Sequence, residues 1–79
     1  MIDEEEIIEE VEIGGEMITA TVYRVRGEWW EYKIEKPDAT WDSLIETYNG
    51  VQKMTKDQAI KAAKDFMNDI KEMGWDGAK

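Results

Sequence analysis

Trp29 and Trp30 stand side by side in Gly27-Glu28-Trp29-Trp30-Glu31-Tyr32-Lys33-Ile34-Glu35, within a chain of nineteen carboxylates and no histidine or cysteine. These side chains set the chemistry that is open to it. Indole and phenol rings can stack on a ligand or anchor a protein contact. Carboxylates can attract a basic surface or, as a close pair, exchange protons. Without histidine there is no Ser-His or Cys-His nucleophile and no imidazole ligand. Without cysteine there is no disulfide and no thiolate-bound zinc. The acids fall in runs or at helix-surface spacing, so no pair is singled out for catalysis. No DxDxDG loop, GxGxxG turn or GK[ST] phosphate loop is present. The expectation is a protein that is not an enzyme and that uses no cofactor or metal.

The charge is unevenly placed. Asp3, Glu4, Glu5, Glu6, Glu9, Glu10, Glu12 and Glu16 lie in the first sixteen residues without a single base, and they supply most of the net charge of −9. The rest of the chain is close to neutral. Direct binding to nucleic acid needs concentrated lysine and arginine, so it is disfavoured. A basic protein surface, such as that of a nucleic-acid-binding protein, is the natural partner of the acidic end. No apolar run is long enough to cross a bilayer, and the start is acidic where a secretory signal is basic. A cytoplasmic location is expected, with no membrane partner.

Seventy-nine residues suit one small domain whose core is only just sufficient. We divide it into a loose acidic start at residues 1–6 and a single domain over 7–79. The clearest element lies near the C-terminus. Thr55-Lys56-Asp57-Gln58 fits a capping box, and Ala59, Ile60, Ala63, Phe66, Met67 and Ile70 recur at helical spacing. This predicts a helix over 56–73, ended by Gly74, with Trp75 folding back on Ile70.

Residues 17–35 predict a hairpin. A two-residue Arg26-Gly27 turn would set charged residues opposite the apolar set. A three-residue Val25-Arg26-Gly27 loop instead pairs Val22 with Trp30, Ala20 with Tyr32 and Ile18 with Ile34, and Arg24 with Glu28 at its mouth. Trp30 then enters the core. Met17, Thr19, Thr21, Tyr23, Trp29, Glu31 and Lys33 share the opposite face.

Two segments are ambiguous. Residues 7–13 read as a helix, or as a strand joined through Gly14-Gly15 that pairs Val11 with Ile18 and Ile7 with Val22. The glycine pair favours the strand. Residues 41–48 read as a short helix capped by Thr40, or as a strand over Leu44–Tyr48; we favour the strand. The fold class is therefore α+β: an antiparallel meander of three or four strands with one C-terminal helix on one face. Trp30, Tyr32, Ile34, Ile18, Val22, Phe66, Met67 and Ile70 form the expected core.

One helix covers one side of a sheet, so the second face is the expected interface unless residues 37–45, Trp41 among them, roof it. The candidate partner-binding residues are Glu4, Glu5, Glu6, Glu9, Glu10, Glu12, Tyr23, Trp29 and Glu31. The functional expectation is a small acidic binding module or inhibitor that docks on a basic partner. Its length and charge balance are similar to those of small acidic phage-encoded inhibitors, anti-CRISPR proteins among them, although no motif is shared with a particular one. The alternatives are a homodimer or larger assembly built on the aromatic sheet face, a site that stacks a sugar or nucleotide, and a carboxylate-based enzyme.

Overall fold

Gly14 and Gly15 both adopt positive φ, 61° and 82°, the backbone that a tight two-residue hairpin turn demands. In the computed structural model, which describes residues 4–46 and 53–78, this turn joins β1 (Glu5–Ile13) to β2 (Glu16–Arg26). β3 (Trp29–Lys36) and β4 (Ala39–Asp42) follow, giving one antiparallel sheet in the order β1-β2-β3-β4. A short helix, α1 (Ser43–Glu46), continues from β4. A long one, α2 (Lys56–Ala78), closes the fold. The α+β meander with a C-terminal helix is thus the architecture.

β1 is the strand that the glycine pair favours, and Val11 faces Ile18 as expected. Past Glu9 the register shifts. Ile8 is the extra residue of a β-bulge, so Ile7 faces Thr21, not Val22. Glu5 and Glu6, grouped with the loose start by their charge, pair with Tyr23 and Val22. Residues 1–3 lie outside the described residues.

The second hairpin keeps the expected faces but not the expected pairs. Val22 faces Tyr32, Ala20 faces Ile34 and Arg24 faces Trp30, two residues from the predicted register. The turn is Gly27-Glu28, closed by Arg26 and Trp29, with a bulge between Arg24 and Arg26. Gly27 alone takes positive φ there (55°), as the first central residue of a type II′ turn does. A two-residue shift leaves parity unchanged, so Trp30 still enters the core. The predicted Arg24–Glu28 pair is replaced by contacts of Arg24 with the Gly27 carbonyl and with Glu4.

The fourth strand is Ala39–Asp42, earlier than the Leu44–Tyr48 strand, and Leu44 belongs to α1. Pro37 has its φ already fixed for a tight turn, so the chain reverses at Pro37-Asp38 and Trp41 lands opposite Ile34. Residues 47 and 48 of the predicted strand lie outside the described residues. Trp41 therefore faces α2, not the second face. It stacks between Tyr32 and Phe66, at ring-centre distances of 5.3 and 4.7 Å.

α2 begins with the predicted capping box. The Gln58 N–H donates to Thr55 Oγ1, and the Thr55 N–H donates to Gln58 Oε1 at 2.9 Å. Its apolar stripe buries Ala59, Ala63, Met67 and Ile70 against Ile18, Ala20, Val22, Trp30, Tyr32 and Ile34. Phe66 packs at the margin. The helix breaks at Gly74 (φ 79°, ψ 172°), and one further turn lays Trp75 on the core with the Lys36 ammonium over its ring.

Candidate functional site

The second face of the sheet divides into a closed end and an open end. At the closed end, β4 and α1 bring Asp42 and Ser43 to the side chains of β2 and β3. The Tyr23 hydroxyl donates to Asp42 Oδ1 at 2.5 Å, and the Leu44 N–H donates to the same oxygen at 2.9 Å, so Asp42 caps α1 while holding the phenol. Ser43 Oγ donates to Glu31 Oε1 at 2.6 Å and accepts the Tyr32 N–H at 3.0 Å. The Trp29 indole N–H donates to Glu31 Oε2. Glu31 is 0 % exposed. A buried carboxylate is costly without partners, and two donors here meet its two oxygens.

This arrangement buries two of the expected interface residues and partly covers a third. Tyr23 and Glu31 are buried, and Trp29 is half-buried with its N–H committed to Glu31 and the Lys53 ammonium over its ring. They tie α1 to the sheet and present little surface to a partner. Burial raises the Tyr23 phenol far above its ordinary value, and the hydrogen bond to Asp42 and the charges of Asp42 and Glu31 add to the shift. Tyr32 is pushed up to about 12, by burial first and then by the charges of Glu31 and Asp65.

The six acidic candidates separate into two groups. Glu4 pairs with Arg24 at 3.5 Å, Glu5 with Lys33 at 3.9 Å and Glu6 with Lys56 at 3.5 Å. Glu9 pairs with Lys71 of α2. These acids fasten β1 to the body of the domain. Among the described residues, Glu10 and Glu12 have no ion pair, and both are exposed. Opposite them on β2 stand Thr19 and Met17.

The open end carries Met17, which the sequence pattern places on this face, and adds Ile7, which it does not. Ile7 is 57 % exposed and Met17 is 50 % exposed. With Glu5, Thr19, Thr21 and Glu35 they line a shallow groove of about 310 Å³. Strict alternation puts Ile7 on the apolar face with Val11, opposite Val22. The signal against that reading is the doubling in Ile7-Ile8-Glu9-Glu10, where one extra residue restores the alternation on both sides.

Among the described residues, no helix is long and apolar enough to cross a membrane. Among the same residues, no three of His, Cys, Asp and Glu are grouped so as to hold a metal ion. What this surface offers is carboxylates beside apolar side chains, next to the free edge of β1. Neither a known protein family, nor a curated protein, nor a solved structure matches the chain.

Proposed function

We propose that the protein is a non-catalytic binding module that docks on a basic surface of a partner protein, in the manner of an inhibitor, through β1 and the open end of the second face. A nucleic-acid-binding protein in the cytoplasm is the kind of partner that fits. One observation carries the reading. Four of the N-terminal glutamates are used inside the domain, yet among the described residues Glu10 and Glu12 have no ion pair and stand beside the exposed Ile7 and Met17. Long-range attraction would come from the net charge, and short-range contact from the two apolar side chains. Covering the exposed half of each contributes about 1 kcal/mol.

A pull-down from cell extract at low and high salt tests the proposal. The wild type is compared with a Glu10→Lys/Glu12→Lys variant and with Met17→Asp. The expected result is capture of a protein with a basic face, weakened by salt and lost in both variants. Capture that survives both variants would place the interface elsewhere. A salt-insensitive dimer of the chain itself would favour the homo-oligomer instead.

A further inference from the structure

We infer that β1 accepts an added strand: an extended partner segment of alternating basic and apolar residues pairs with its outer edge. The inference rests on the docking reading above and supplies its mode. In a two-residue hairpin the closing pair, here Ile13 and Glu16, is hydrogen bonded, and bonded pairs then alternate with non-bonded ones. Ile13 and Val11 therefore bond to β2, while the backbone groups of Glu12 and Glu10 point outward. Beyond the Ile8 bulge, the Arg24 N–H donates to the Glu4 carbonyl at 3.0 Å. Glu4 and Glu6 are thus the inward set there, and Glu5 and Ile7 the outward set. Every outward backbone position on β1 also carries its side chain on the second face.

The chemistry of the occupant follows from this parity. Residues of an added strand that lie opposite Glu10 and Glu12 place their side chains on the second face, beside two carboxylates that have no ion pair among the described residues. Lysine or arginine fits there. The alternate residues fall on the α2 side, beside the half-buried Val11 and Ile13 and the exposed Met73, which lines a groove with Ile13. Apolar residues fit there. A second copy of β1 does not fit, because Glu5, Glu6, Glu9, Glu10 and Glu12 make five of its nine residues acidic. Like charges across a strand pair destabilise it. The same charges that keep identical edges apart select a basic strand.

Two capped nonapeptides of one composition, arginine and valine strictly alternating or in two blocks, test the inference by fluorescence anisotropy at low salt. The alternating peptide is expected to bind at least tenfold more tightly. N-methylation at every second residue removes its N–H groups from one edge only. One parity of methylation is expected to weaken binding tenfold or more and the other to leave it nearly intact. In the protein, Glu10→Pro removes an outward N–H without breaking a bond to β2, and it is expected to weaken binding far more than Glu10→Gln does. Circular dichroism checks the fold of each variant, and the methylated peptides decide the matter on the wild type if the proline variant unfolds. Equal binding of both peptides, with no effect of methylation parity, overturns strand addition and leaves docking by charge. Failure of every peptide to bind overturns the docking reading as well.

Discussion

Glu31 and Tyr23 show how a side chain's role is set by what covers it. Both lie on the sheet face that α2 does not touch, and face parity placed them there correctly. Their burial was not legible, because it depends on where the chain turns after Lys36 and on two short side chains, Asp42 and Ser43. Trp29 and Trp30 were legible as a pair with opposite directions, since adjacent strand residues alternate. Tyr23 gives a test at this scale. Its pKa is higher in the folded state, so its contribution to stability is whole below the ordinary phenol value of about 10 and is lost as pH rises above it. Tyr23→Phe removes a hydrogen bond to a charged acceptor and is expected to cost about 1.5–3 kcal/mol near neutral pH. It is also expected to flatten the fall in stability above pH ~10. Tyr32, and Lys36 whose ammonium is held above its ordinary value by Asp38 first and then Glu16, contribute to the part of that fall that remains. Urea midpoints of both proteins across this range measure the two effects, and an unchanged alkaline slope would assign the fall to other groups.

The elements themselves were largely readable from local patterns. Gly14-Gly15 marks a hairpin, Thr55-Lys56-Asp57-Gln58 marks a helix start, and the apolar stripe from Ala59 to Ile70 marks its buried face. Pairing was less readable, because two bulges shift register without changing composition. A turn at Gly27-Glu28, offset by a one-residue bulge near Val25, set β3 two residues from the expected register, and Ile8 moved the start of β1 by one. The one-residue shift matters more, since it turns Ile7 from the core to the surface. Gly74 offers the test at this scale. Its φ of 79° and ψ of 172° fall in a region that essentially only glycine occupies, and a Cβ there would meet nothing within 4 Å. Gly74→Ala is therefore expected to cost about 1–3 kcal/mol through backbone strain alone. Thermal midpoints check it, with tryptophan emission following Trp75. A neutral result would mean that α2 runs straight through this position.

At the scale of the whole molecule, charge placement adds to packing in holding β1 to the domain. A segment that looks in sequence like an acidic tail is instead the edge strand of the sheet, and its acids reach Arg24, Lys33, Lys56 and Lys71. Sequence could not show this, because the bases lie 20 to 62 residues away along the chain. The two groups of glutamates should respond differently to neutralisation. Glu6→Gln with Glu9→Gln removes two partly exposed pairs and is expected to lower stability by about 0.5–2 kcal/mol, less at high salt. Glu10→Gln with Glu12→Gln is expected to leave stability unchanged or slightly raised, because it relieves repulsion in a chain of net charge −9. Denaturation midpoints at two salt concentrations separate the groups, and equal losses would mean that Glu10 and Glu12 are also paired in solution.

The pairs that join β1 to α2 have a bearing on the order in which the chain folds. Each hairpin of the meander closes over a few residues, whereas Glu6–Lys56 and Glu9–Lys71 bridge separations of 50 and 62 residues. Short loops close at lower entropic cost and sooner than long ones. The turns at Gly14-Gly15 and Gly27-Glu28 should therefore organise the sheet before α2 arrives. Lys56 and Lys71 then meet a strand already bearing the opposite charge, and the two pairs orient the helix along the sheet. In that sequence of events the acidic edge acts as a guide for the last step of folding, before it is free to meet any other molecule.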